Sequence, residues 1–155
     1  MVQRIVDLVA TAAARIEALG HSDAVILPDS IRIVQLDYYS CGAKCVYTVL
    51  RYFGKNVSRD SVERALRTDE DGTAVSDMKR VFKRYGLECI TLRKPRITDL
   101  TACIDEGSPV IISLREGEHF SVVYGYSKSH LWVMNPSLDS LSPQVNEKAG
   151  NSEDT

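Results

Sequence analysis

The spacing of apolar residues changes once along this chain, at Gly86, and that change limits what it can fold into. Before Gly86 the apolar positions recur at three and four, the period of a helix with one buried face; after it they mostly alternate or run together, as in strands. Ile5, Leu8, Val9, Ala12, Ile16 and Leu19 share one face of an N-terminal helix that Gly20 ends, and His21 to Ser30, with Pro28, reads as a connector. Ile31 to Val34 is a short extended run. A second helix starts at about Cys41 and stops before Gly54. Ser58 is the expected N-cap of a third, running to Leu66, and Thr73 or Ser76 opens a fourth that Gly86 ends. Leu87 to Leu92 then reads as a strand, Thr98 to Glu106 as a short helix, and Pro109 to Leu114 as a buried strand. His119 to Tyr126 and His130 to Met134 read as a hairpin turning at Ser127-Lys128-Ser129. Helices first and strands later imply an α+β fold, a helical N-terminal half packed on a C-terminal antiparallel sheet.

The chain has 155 residues, the size of one domain with one core. The expected division is an N-terminal helix and connector over 1–30, a catalytic-sized domain over 31–136, and a polar, acidic tail over 137–155. A net charge of −2 gives no general electrostatic reason to bind nucleic acid or an anionic membrane. Lys79-Arg80 and Lys83-Arg84 read as a solvated helix face. No apolar run reaches the ~20 residues of a membrane span. Asp7, Arg15 and Glu17 break the N-terminal apolar run, so it reads as a helix, not a cleaved signal. That helix could recruit a partner protein or mediate a homodimer. The four cysteines lack the context of a secreted disulfide scaffold and the spacing of a zinc site, so no metal and no cofactor are expected, and the location expected is cytoplasmic. Cys45, Cys89 and Cys103 read as small buried residues.

Cys41 is different. It stands at the head of the second helix, where unpaired N–H groups and the helix dipole favour a thiolate, the nucleophilic form. Far downstream come His119, at the start of a strong strand, and Asn135, at the end of the strand expected to pair with it. The thiolate would attack a carbonyl carbon, His119 would carry the proton, and the Asn135 amide oxygen would orient the imidazole. The oxyanion donors expected are the Cys41 N–H and the Gln35 carboxamide six residues upstream. Asp139 competes with Asn135 as orienter from the tail; His130 is expected to be exposed, His21 to lack a partner, and Asp37 to be structural.

Gln35, five residues, then Cys41-Gly42 resembles the papain-like cysteine peptidases that mature bacteriocins by cutting after a double-glycine leader. Asp71-Gly72-Thr73, Gly86-Leu87-Glu88, Gly107-Ser108-Pro109-Val110-Ile111, His119-Phe120-Ser121-Val122-Val123 and Asn135-Pro136 are similar to that family's later segments, so the likeness covers about Ile31 to Pro136. It implies a papain-like fold, a peptide or protein substrate, Gln35 as oxyanion donor, Cys41 as nucleophile and His119 as base. Asn135 departs from the family's more common Asp, though Asn serves in papain. Lys44 stands where a small residue is common, either exposed or lending charge to the thiol. The best-known members are domains of ATP-driven exporters; this sequence shows neither spans nor a phosphate loop, so it reads as a free-standing relative. The expected activity is peptide hydrolysis. The alternatives are acyl transfer through the same thioester, or a non-catalytic peptide-binding module of the same fold.

Overall fold

The computed structural model describes residues 19–28, 39–114 and 119–136. The N-terminal helix before Leu19, the run Ile31–Val34, Gln35, Asp37 and the tail from Ser137 lie outside the described residues. The described elements are β1 (Val25–Ile26), α1 (Cys41–Tyr52), α2 (Arg59–Leu66), α3 (Val75–Arg84), α4 (Ile97–Asp105), β2 (Val110–Leu114), β3 (His119–Tyr126) and β4 (Leu131–Met134).

Helix α1 is the pivot. Cys41 to Val46 and Thr48 to Leu50 are all buried, because β3 covers one side and α2 and α3 cover the others. Gly54 ends it at φ 71°, a left-handed conformation that costs glycine little. Ser58 caps α2 as expected, its hydroxyl accepting from the Ser61 N–H at 3.2 Å. Val62 and Leu66 of α2, Met78, Val81 and Phe82 of α3, and Ile104 of α4 join Val46 and Leu50 in one core. Such close-packed aliphatics each hold on the order of 2–5 kcal/mol against truncation to alanine.

Strand β3 is the centre of an antiparallel sheet. Strand β4 pairs with one edge, from Val122↔Met134 to Tyr126↔Leu131, with a bulge between Val123 and Gly125. Strand β2 takes the other edge, from Val110↔Val123 to Leu114↔His119. Beyond it on that edge, β1 pairs Ile26 with Gly125 and Val25 with Tyr126. Gly125 is required there, because a Cβ would lie 2.4 Å from Ile26 Cδ1 and 2.8 Å from the Val25 carbonyl oxygen. The β3–β4 turn falls at Ser127–Ser129 as expected: the Ser127 hydroxyl accepts from the His130 N–H at 3.2 Å, and Asp23 accepts from the Lys128 N–H at 2.9 Å. That bond holds the Asp23 carboxyl below its usual range.

Three expectations fail. Leu87–Leu92 is not a strand; Ile90 is 89% exposed, and Glu88 to Thr98 all face solvent. Its apolar residues, Leu87, Cys89, Ile90 and Leu92, shift phase between 89 and 90, so neither face of a strand there would be wholly apolar. Helix α3 is capped by neither Thr73 nor Ser76: Ala74 stands at its N-cap, and Thr73 is buried, its hydroxyl 2.8 Å from that of Thr68. Cys89 is exposed and Cys103 half-buried, so neither is a core residue.

Candidate functional site

Cys41 is the first residue of α1, and its side chain is buried. Ser40 stands at the N-cap without a side-chain capping bond, so its hydroxyl does not occupy the N–H groups of the first turn. Gly42 lets α3 approach this end of α1: a Cβ there would lie 2.6 Å from Met78 Cε and 2.7 Å from Thr73 Cβ. The glycine beside the thiol therefore sets how closely the two helices pack next to it.

The sheet supplies the second part. His119 opens β3, and its Nε2 lies 2.6 Å from Asn135 Oδ1. The carboxamide oxygen can only accept, so Nε2 is the donor, and the neutral tautomer compatible with this contact has its lone pair on Nδ1. Strand pairing explains the meeting. Met134 faces Val122, so Asn135 emerges one residue beyond, diagonal to His119 and on the same side of the sheet. Pro136, fully buried, follows directly. Helix α1 packs across β3, the strand that carries His119. The structure thus brings His119 and Asn135 into contact and sets the helix of Cys41 on their strand. Gln35 and Asp139 lie outside the described residues.

Cys45 lies one turn below Cys41 and is fully buried; burial first, then the charge of Cys41, push its thiol well above the usual range. It is a neutral, apolar-like filler of the helix interior, as the sequence suggested. All four cysteines are free. Of the two places the sequence had left open for Lys44, the exposed one is ruled out. Lys44 is buried, and its ammonium donates to Glu63 Oε1 of α2 at 2.5 Å. Only Glu63's place on the inward side of the next helix could have signalled that pairing.

The other two histidines also depart from expectation. His21 is not partnerless: its ring lies 4.5 Å, centroid to centroid, from His130 and 5.3 Å from Trp132. His130 is half-buried, with Nδ1 2.6 Å from the Ser129 hydroxyl. Sequence reasoning also missed two buried hydroxyls, Thr48 Oγ1 on α1 and Ser121 Oγ on β3, which find no hydrogen-bond partner among the described residues. Among those residues, no group of three or more His, Cys, Asp or Glu side chains could hold a metal ion, and no helix is long and apolar enough to cross a membrane.

Residues 30–147 match the model of the Peptidase C39 family. A lactococcin-G-processing and transport ATP-binding protein, LagD, of Lactococcus lactis subsp. lactis is 25% identical over 118 residues. That match takes in 74% of this chain and 16% of the relative, so the chain spans about one-sixth of the length of that protein. Among solved structures, a double-glycine-motif protease of an AMS/PCAT transporter, in complex with its leader peptide, superposes with a TM-score of 0.59 at 26% identity, over 69% of this chain and 74% of that one. The peptidase domain of Streptococcus ComA, a bifunctional ABC transporter of a quorum-sensing pathway, superposes with a TM-score of 0.59 at 25% identity, over 70% and 80%. The four helices and the antiparallel sheet of the described residues are the α+β architecture of these papain-like peptidases.

Proposed function

The chain belongs to the peptidase C39 family, and from that premise we propose that it is a cysteine peptidase cutting a leader from a peptide after a glycine pair. The observation that carries the catalytic part is the 2.6 Å contact of His119 Nε2 with Asn135 Oδ1, which leaves Nδ1 as the base, on the strand against which the helix of Cys41 packs. In this reading Nδ1 of His119 takes the Cys41 proton and the sulfur attacks the scissile carbonyl carbon. The oxyanion is received by the Cys41 N–H and the Gln35 carboxamide. The imidazolium returns its proton to the leaving amine, a thioester forms, and water deprotonated by His119 releases the acid and frees the thiol. Asn135 keeps the ring in the required tautomer throughout.

The double-glycine specificity rests on likeness to the leader-cutting proteases, and a peptide substrate on the leader bound to one of them. Four unpaired thiols fit a reducing compartment such as the cytoplasm. The test is a synthetic peptide spanning a double-glycine leader junction, incubated with the protein and read by mass. Cleavage after the second glycine, absent in Cys41→Ala, is expected. An intact peptide, or equal cleavage by that variant, contradicts the reading.

A further inference from the structure

We propose that the exposed segment from Glu88 to Thr98, with the outer face of α3 beside it, docks this protein on an anionic lipid bilayer. Ile90 is 89% exposed, and Leu92 and Ile97 are 42% and 46% exposed. Single aliphatic residues in water need no explanation, but three within eight residues, ringed by cations, do.

The charge is as uneven as the hydropathy. Seven of the chain's 19 Lys and Arg residues fall between Lys79 and Arg96, against one acid, Glu88; the stretch carries +6 while the whole chain carries −2. Arg80 is spent on Asp77 and Arg96 on Asp99. Lys79, Lys83, Arg84, Arg93 and Lys94 have no acidic partner among the described residues. Lys79 of α3 lies close enough to Cys89 of the segment to pull its thiol down, against the larger upward push of burial. Lys94, at φ 50°, and Pro95 hold the segment in a fixed bend.

The chemistry of the face selects the occupant. Glu88–Thr98 has no aromatic residue on which a base could stack, which disfavours nucleic acid. Ile90 stands almost wholly in water, where a side chain lining a peptide groove would be partly covered. Protruding aliphatics beside unpaired cations suit the interface of a bilayer carrying phosphatidylserine, where each nearby Lys or Arg strengthens partitioning by about fivefold. The net negative charge of the chain hides this face from any reading of overall composition.

Co-sedimentation tests it, using vesicles of phosphatidylcholine alone and of phosphatidylcholine with about one-third phosphatidylserine. The protein is expected to pellet with the second and not the first, and to be released by high salt. Ile90→Asp and the double variant Arg93→Glu/Lys94→Glu change exposed side chains only; each should lower binding by tenfold or more, with circular dichroism unchanged. No binding to either vesicle overturns the proposal. So does equal binding to both, or binding to anionic vesicles that neither variant weakens. Retention on immobilised polyglutamate without vesicle binding would assign the face to an acidic protein instead and equally overturn the bilayer.

Discussion

The two ends of the β3–β4 hairpin each hold a histidine with a 2.6 Å hydrogen-bond partner, yet the two rings are held in different ways. At one end His119 bonds Asn135 on a strand over which α1 passes. At the other, His130 bonds the neighbouring Ser129 and packs edge-on to His21, with Trp132 nearby. A short contact to an imidazole is therefore no mark of a base. What differs is the carboxamide, which reaches the ring from a second strand, and the helix α1 that packs on the strand carrying it. The His130 partner is one residue away and fixes nothing beyond the turn.

The largest effects should separate these ends. Cys41→Ala and His119→Ala are expected to lower kcat/KM on the double-glycine peptide by about a thousandfold or more, while His130→Ala stays within about twofold. A large loss at His130 would break the comparison. Asn135→Ala should cost less, about tenfold to a hundredfold and mainly in kcat, because the ring remains but loses its orienter. Asn135→Asp, which still accepts from Nε2, should retain activity; Ser129→Ala should leave kcat unchanged.

The two packing glycines sharpen the contrast in stability. Gly42→Ala and Gly125→Ala each force an added methyl into contacts shorter than 3 Å, and each should cost about 1–3 kcal/mol in urea unfolding. Gly42→Ala should also lower kcat, since it displaces α3 from the head of α1. Gly125→Ala pushes β1 from the sheet at the other end and should leave kcat alone.

How far the sequence foretold this differs by element. Helix ends were legible because glycine and serine signal them locally: Gly54, Gly86 and Ser58 lie where expected. The His119–Asn135 meeting was legible because a hairpin with a short turn fixes its own register. Leu87–Leu92 was not, because a strand needs a ladder partner and local propensity cannot say whether one arrives. The Lys44–Glu63 pair and the His21–His130 contact join residues far apart in the chain, so no local pattern announced them.

Smaller effects test the interior between the ends. Burial raises the Cys45 thiol, so the folded state keeps its proton where the unfolded chain gives it up. Stability from this group is full below the unfolded value of about 8.5 and falls as pH rises above it. Cys45→Ala should flatten that decline in Tm between neutral and alkaline pH. Thr48→Val and Ser121→Ala remove buried hydroxyls without a partner among the described residues, and should be neutral or stabilising by about 1 kcal/mol in urea unfolding.

The central claim is that Cys41 is activated by the imidazole of His119. Cys89 supplies the internal control, since it is exposed while Cys41 is buried. Limiting iodoacetamide near neutral pH, with the adducts mapped by mass, should modify Cys41 before Cys89, and His119→Ala should reverse that order. Labelling of Cys89 first in the unaltered protein would contradict the account.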